Sequence, residues 1–174
     1  MSTAERALPK ATLPLPVECI DKNGQPFVVR EYVPEDRPRL EAFYEAFEPK
    51  RTAQGLPPHN PAGVRRWLDK ILLEGTHLIV KAGAELIGHA FLVPTGRERE
   101  AEYAIFLARA VRGQGVGTQV NRITIDVARA QGLETLWLSV EPHNRAAIRS
   151  YEKVGYEFIP GSIFDIEAEM KLEL

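Results

Sequence analysis

The spacing of hydrophobic and polar positions changes several times along the chain, and each change predicts a different element. In residues 17–32, two apolar and β-branched runs flank the dipeptide Asn23-Gly24. This dipeptide readily adopts the two positive φ angles of a tight turn, so we expect the chain to open with a β-hairpin. Residues 1–16 are rich in proline and poor in apolar positions, which predicts an N-terminal arm followed by a single domain over residues 17–174.

Two segments with apolar positions three and four residues apart come next, and both carry signals for the start of a helix. Asp36 is placed to cap the first helix, whereas Asn60 caps the second with Pro61 at its first position. We expect the first helix to end near Pro49 and the second to end before Gly75. The predicted buried stripes are Leu40, Phe43 and Phe47 in the first helix and Val64, Trp67, Leu68 and Ile71 in the second.

From residue 76 the pattern changes to that of strands. Three short apolar or alternating runs between residues 76 and 108 are separated by turns that contain glycine or proline, which predicts a three-stranded meander. A glycine-rich turn, a helix, a strand, a helix opened by Asn144 and two final strands complete the pattern. The predicted fold class is therefore α+β, with a mixed, mostly antiparallel central sheet flanked by helices.

Composition narrows the class of protein further. The chain has 174 residues, of which 44% are hydrophobic and 26% charged, and these values exclude disordered and collagen-like chains. A net charge of −2 is evidence against a protein that wraps nucleic acid or coats an anionic membrane. The single cysteine, Cys19, has no second thiol beside it, and no apolar run is as long as a membrane span. We expect a cytoplasmic protein without a metal.

The segment from Arg112 to Thr118 contains three glycines in five positions, after an apolar strand and before an amphipathic helix. Glycines at such a turn let the backbone approach an anion, and the first helical turn presents unpaired N–H groups. We therefore expect a ligand that carries phosphate. A nucleoside-triphosphate loop would need Lys after the last glycine, but Thr118 follows Gly117. A dinucleotide site stays open as an alternative, although few residues remain for a doubly wound sheet.

Arg112, Gly115 and Gly117 match a signature of Arg or Gln, two residues, Gly, one residue, then Gly or Ala. In this motif the sequence resembles the GNAT family of N-acetyltransferases. Asn144 and the segment around Tyr151 are similar to the closing part of the family's domain, and the order of elements matches over roughly residues 26–172. The resemblance implies the same fold and acetyl-CoA, or a related acyl-CoA, as the acyl donor.

The resemblance also implies which residues bind the donor. The pantetheine arm would pair with the backbone of Phe106 and Leu107, in a gap between their strand and the strand that contains Trp137. Arg112 would lie near phosphate, and Asn144 would lie near the cofactor. The pyrophosphate would bind backbone N–H groups of Gly113, Gln114, Gly115, Val116, Gly117 and Thr118.

Acetyl transfer to a primary amine in a ternary complex requires the amine to lose a proton and favours protonation of the leaving thiolate. By the resemblance, Tyr151 is the candidate general acid, although its helical spacing also fits a buried stripe. Glu102 is the candidate general base. Glu98, Glu100 and Glu102 share one side of a strand in which side chains alternate, so a solvated charged face is the alternative interpretation.

The second function left open is a non-catalytic acyl-CoA-binding regulatory or interaction module of the same fold. The acceptor is not specified by the sequence, and both a small molecule and a protein lysine are compatible with it. Residues 48–62, which include His59, are expected to help build the acceptor pocket. We expect no nucleic-acid or membrane partner, and the resemblance makes a homodimer one possible assembly.

Overall fold

A computed structural model describes residues 12–49 and 57–174 of the chain. The elements appear in the predicted order, from the opening hairpin through the meander to the two final strands. They are β1 (Val17–Ile20), β2 (Pro26–Glu31), α1 (Arg37–Glu45), α2 (Pro61–Ile71), β3 (Thr76–Ala82), β4 (Glu85–Pro94), β5 (Glu100–Leu107), α3 (Val116–Ala130), β6 (Thr135–Val140), α4 (Arg145–Glu152), β7 (Glu157–Phe158) and β8 (Ala168–Glu173).

All of these strands join one sheet in the order β1-β2-β3-β4-β5-β6-β8-β7. Neighbouring strands are antiparallel except β5 and β6, which are parallel. The predicted α+β class is confirmed. The parallel pair is short, because its register runs from Glu100 opposite Thr135 to Glu102 opposite Trp137 and then stops. Beyond Glu102 the two strands are no longer paired, which is the gap between them that the resemblance implied.

The helices cover the two faces of the sheet unequally. Helices α3 and α4 pack on one face, where Leu136, Leu138 and Met170 are buried in the main core. Helices α1 and α2 pack on the other face over β3, β4 and β5, and the side chains of Leu40 and Leu68 are fully buried there. Burial of each such side chain contributes about 1.5–3 kcal/mol to stability. On this second face β6 and β8 have no helix over them among the described residues.

The turn of the opening hairpin differs from the prediction in its backbone. Of the dipeptide Asn23-Gly24, only Gly24 has a positive φ, at 78°. The pairing of β1 and β2 ends with Ile20 opposite Pro26, so the connection is longer than a two-residue turn. The Asp21 carboxylate accepts hydrogen bonds from the N–H groups of Asn23 at 2.8 Å and Gln25 at 2.9 Å. A side chain therefore stabilises the wider turn.

The two helix starts also differ from each other. Asn60 caps α2 as predicted, because its Oδ1 accepts a hydrogen bond from the Gly63 N–H at 2.7 Å. Asp36 occupies the N-cap position of α1 but makes no capping bond. Its carboxylate instead accepts two bonds of 2.6 Å from the Arg30 guanidinium, which lowers the pKa of Asp36. Helix α1 ends at Glu45, before the predicted end near Pro49.

Residues 1–11 and 50–56 lie outside the described residues. The predicted arm boundary at residue 16 therefore stays a prediction, as does the part of the acceptor loop that falls on 50–56. Leu13 and Leu15 are described, and both pack against the main core. Within residues 12–49 and 57–174, no helix has the length and apolar composition needed to cross a membrane.

Candidate active site

The glycine-rich loop leads from β5 to α3, as predicted. Gly113 and Gly115 have positive φ angles of 77° and 81°, and Gly115 is the N-cap of the 15-residue helix α3. Among the described residues, the backbone N–H groups of residues 113–118 have no hydrogen-bond acceptor. We call these six residues the anion loop, because their N–H groups lie at the positive end of the α3 dipole, where a phosphate binds favourably.

The turn between β1 and β2 contacts the anion loop from a distant part of the chain. The Lys22 N–H donates to the Gln114 carbonyl at 3.0 Å, and Gln119 Nε2 donates to the Ile20 carbonyl at 2.9 Å. The aliphatic stem of Lys22 lies 3.2 Å from the position that a Cβ on Gly115 would take. Lys22 therefore brings an exposed cation to the loop. No motif or spacing in the sequence indicates this contact.

Arg112 binds backbone carbonyls beside the anion loop. Its Nε donates to the Leu107 carbonyl at 3.0 Å, and a terminal nitrogen donates to the Glu48 carbonyl at 2.5 Å. The guanidinium carbon lies 5.1 Å from the centre of the Phe47 ring. Arg112 thus joins the end of β5 to the residues that follow α1. The expected role of Arg112 near phosphate stays a prediction.

Phe106 and Leu107 belong to the part of β5 that continues beyond its pairing with β6. On one edge, β5 pairs with β4 as far as Leu107, which lies opposite Gly88. On the other edge, no described residue of β6 pairs with β5 after Glu102. An unpaired strand edge of this kind can accept an extended ligand chain. The location of both residues fits the expected pantetheine contact, which stays a prediction.

Tyr151 lies on α4, and its side chain is buried in the main core. Its helical spacing therefore does place it in the buried stripe of that helix. Its ring contacts those of Tyr103 and Tyr156, with centroids 6.3 Å and 5.7 Å away. Burial raises the pKa of the Tyr151 phenol. The phenol is therefore neutral over the ordinary pH range and can act as a proton donor.

Asn144 begins the same helix. Its Oδ1 accepts a hydrogen bond from the Ala147 N–H at 3.3 Å and so acts as the N-cap of α4. A short turn separates Asn144 from the end of β6, and α4, the helix that Asn144 caps, carries Tyr151. Its expected proximity to the cofactor stays a prediction.

Glu102 lies where β5 and β6 separate, opposite Trp137. Both side chains line an open cleft of about 1170 Å³ on the face of β6 and β8 that no described helix covers. Burial, followed by the nearby Glu167 carboxylate, raises the pKa of Glu102. The predicted row of three glutamates is wrong in part, because Glu98 precedes β5 and is exposed.

The cleft has a charge distribution that suits a cation. Glu102, Glu157 and Glu169 line it, and two further carboxylates have local cationic neighbours, Arg97 beside Glu100 and Lys171 beside Glu173. With five carboxylates and two cations lining it, the cleft has an excess of negative charge, which attracts a protonated amine. The indole of Trp137 offers an apolar and cation-binding surface in the same cleft.

A buried hydrogen-bonded chain of two histidines and a tyrosine was not identified from the sequence. His77 Nε2 donates to the carbonyls of Ile71 at 2.8 Å and Glu74 at 2.9 Å. Because carbonyls only accept, His77 Nδ1 must accept from His89 Nε2 at 3.1 Å, and His89 Nδ1 accepts from the Tyr44 hydroxyl at 2.6 Å. Burial lowers the pKa of both histidines. The chain ties α1 and α2 to the sheet.

Comparisons with known proteins identify the family of the chain. The model of the Acetyltransferase (GNAT) family matches residues 40–156. Streptothricin acetyltransferase of Streptomyces lavendulae is 30% identical over 142 residues, which are 80% of this chain and 67% of that protein. An L-methionine sulfoximine/L-methionine sulfone acetyltransferase of Pseudomonas aeruginosa is 28% identical over 106 residues, 58% of this chain. The match spans 62% of that relative's length.

Solved structures show the same fold. The GNAT domain of S. lividans PAT has a TM-score of 0.74 at 22% identity and covers 91% of this chain and 97% of its own. The putative acetyltransferase yncA from Salmonella typhimurium, solved with its cofactor acetyl-CoA, has a TM-score of 0.67 at 19% identity, over 85% of this chain and 94% of that one. These identities indicate a shared fold, and the family match spans more than half of the chain. The chain belongs to the GNAT family of acetyltransferases.

Proposed function

We propose that the protein transfers an acetyl group from acetyl-CoA to a primary amine by direct attack in a ternary complex. The observation that carries the proposal is the position of Glu102 at the last pair of β5 and β6, with Tyr151 packed against the next residue of β5, Tyr103. Successive strand residues point to opposite faces. Glu102, the candidate base, and Tyr151, the candidate acid, therefore lie on opposite faces of the sheet at the point where β5 and β6 separate.

The donor would bind along the unpaired part of β5. The N–H groups of the anion loop would hold the pyrophosphate, and the pantetheine arm would extend along the backbone of Phe106 and Leu107. Lys22 contributes a positive charge beside the loop, and Arg112 binds the Leu107 carbonyl at the end of β5. By the resemblance, Arg112 would lie near phosphate and Asn144 near the cofactor. This course would bring the thioester to the place where β5 and β6 separate.

The chemistry assigned to the two side chains balances the protons. Glu102 accepts a proton from the acceptor ammonium, directly or through water, and the neutral nitrogen attacks the thioester carbon. The C–S bond breaks, and the Tyr151 hydroxyl gives its proton to the leaving sulfur. The second proton of the nitrogen passes through water to the Tyr151 phenolate as the amide forms, and Glu102 releases its proton to solvent. A raised pKa of Glu102 makes it a stronger base than an ordinary glutamate.

The acceptor would enter through the open cleft. Its excess of carboxylates beside Trp137 supports a cationic amine. Two of the similar proteins, the streptothricin acetyltransferase and the L-methionine sulfoximine/L-methionine sulfone acetyltransferase, are named for small-molecule acceptors, which favours a small molecule over a protein lysine. A cytoplasmic location and a homodimer are further proposals that rest on the sequence.

Calorimetric titration with acetyl-CoA, and with NAD and ADP as controls, tests the donor assignment. We expect binding of acetyl-CoA and none of NAD at the same concentration, followed by release of free CoA thiol in the presence of an amine panel. Absence of acetyl-CoA binding by folded protein free of copurified CoA would contradict the proposal. Binding without thiol release for any amine would instead support the non-catalytic acyl-CoA-binding module.

A further inference from the structure

We propose that Asn121, in the middle of α3, is a positioning residue that sets the place of Tyr151 relative to β5. Asn121 is 1% exposed and belongs to none of the motifs in the sequence. The inference rests on the proposed function, since it concerns the residue assigned as the acid.

The Asn121 amide connects three elements through its two ends. Its Oδ1 accepts a hydrogen bond from the Tyr103 hydroxyl at 2.7 Å. Its Nδ2 donates to the carbonyl and the hydroxyl of Ser150, each at 3.3 Å. Tyr103 follows Glu102 on β5, and Ser150 precedes Tyr151 on α4. One buried side chain therefore links the neighbours of both proposed catalytic residues.

Asn121 supplies α4 with hydrogen bonds from another element of the fold. The helix has only eight residues, and the Asn144 cap, at 3.3 Å, is a bond within its own first turn. Burial of an amide is unfavourable unless its donors and acceptor are satisfied. The bonds to Tyr103 and Ser150 satisfy it only when α4 lies at this distance from β5, so Asn121 selects one placement of the helix. Displacement of a reacting group by about 1 Å lowers a rate by up to about 100-fold.

The test compares Asn121→Leu, which removes both ends of the link, with Tyr103→Phe, which removes the bond to Oδ1 and leaves the bonds from Asn121 to Ser150. We expect Asn121→Leu to lower kcat by about 10- to 100-fold, with KM for acetyl-CoA changed less than about threefold. Tyr103→Phe should lower kcat in the same direction by less. Thr76→Val is the matched control, because it removes the buried 2.6 Å bond to Gln131 at the other end of α3.

A second arm separates positioning from a loss of stability. In the Tyr151→Phe background, Asn121→Leu should leave kcat nearly unchanged, because the group that it positions is absent. An equal fall in both backgrounds, a rise in KM alone, or the same fall in Thr76→Val would overturn the proposal. Tyr103→Phe retains both the ring and Asn121, so it provides the same test if Asn121→Leu does not fold.

A spectroscopic readout distinguishes failure of this inference from failure of the proposed function. With tyrosine labelled by ¹³C at Cζ, the Tyr151 resonance, assigned from Tyr151→Phe, should shift in Asn121→Leu and stay in place in Thr76→Val. That shift requires no acetyl transfer. A Tyr151 resonance that does not move overturns the positioning role of Asn121. If the resonance moves but Tyr151→Phe keeps full activity, the structural link is retained and Tyr151 is not the acid.

Discussion

The Tyr103 ring meets the Tyr151 ring edge to face, with the centroids 6.3 Å apart. Tyr103 belongs to the strand that carries Glu102, so this contact connects α4 to the strand that borders the proposed acceptor cleft. The elements that carry the proposed acid and the proposed base therefore pack against each other.

Tyr151→Phe should lower kcat by about 100-fold, because the proton donor for the leaving sulfur is lost while the ring still packs. Steady-state thiol release, with calorimetry of acetyl-CoA binding, measures the two effects separately. Tyr156→Phe is the matched control, since the Tyr156 hydroxyl is buried without a hydrogen-bond partner among the described residues. Its removal should leave kcat unchanged and leave the free energy of unfolding equal or higher. A full rate in Tyr151→Phe would contradict the acid assignment.

Gly113→Ala should weaken acetyl-CoA binding by at least about tenfold, because a left-handed φ of 77° disfavours alanine and distorts the anion loop. Gly132→Ala is the control, since Gly132 has a φ of 72° at the other end of α3. A Cβ at either position would meet nothing within 4 Å. Thermal unfolding should show similar destabilisation, of about 1–2 kcal/mol, in both variants. Equal acetyl-CoA affinity in both would exclude the anion loop as the phosphate site.

The rate should depend on pH through Glu102. Burial and the Glu167 carboxylate raise the pKa of Glu102 above the ordinary glutamate value of about 4.3. As the pH is lowered, kcat/KM should therefore begin to fall at a higher pH than it would with an ordinary glutamate as the base. Glu102→Gln should lower the rate by about 100-fold and remove this acidic limb. Glu167→Gln should retain activity and move the limb to lower pH. An unchanged profile in Glu102→Gln would show that another group accepts the proton.

The buried histidines should make the fold sensitive to acid. Both His77 and His89 have a pKa below the ordinary value of about 6.5, so the unfolded chain binds more protons than the folded chain between these values. The free energy of unfolding should therefore fall as the pH drops below about 6.5. Urea unfolding at several pH values measures the slope. His89→Gln should reduce the slope, whereas Thr76→Val, which removes a buried hydrogen bond and no titratable group, should leave it unchanged.

The predicted elements agree with the structure because most of them depend on local pattern. Asn60 caps the helix that follows it, since the capping bond joins residues three positions apart and needs nothing else. Asp36 carries the same signal but binds Arg30, which the pairing of β2 with β3 holds nearby. The cap was wrong because a tertiary partner competes for the carboxylate.

The candidate site was predictable only as far as its motif extends. The glycines and Tyr151 stand in contiguous, ordered segments. The bond from Arg112 to Glu48 joins residues 64 positions apart, and the histidine chain depends on the register of β3 and β4. Such contacts leave no periodicity in the sequence, because they arise only when separate elements pack.

The contact of the β1–β2 turn with the anion loop has a consequence for folding. Beside this contact, the bond from Gln119, one residue after the anion loop, to Ile20 at the end of β1 joins residues 99 positions apart, so it can form only after much of the chain has been ordered. We therefore expect the backbone of the anion loop to be completed late in folding, although its motif is contiguous. A fragment that begins at residue 26 would contain every residue of the motif and lack the turn that supports it. Binding of acetyl-CoA to the anion loop would in turn slow amide hydrogen exchange in the opening hairpin, which is far from the loop in the sequence.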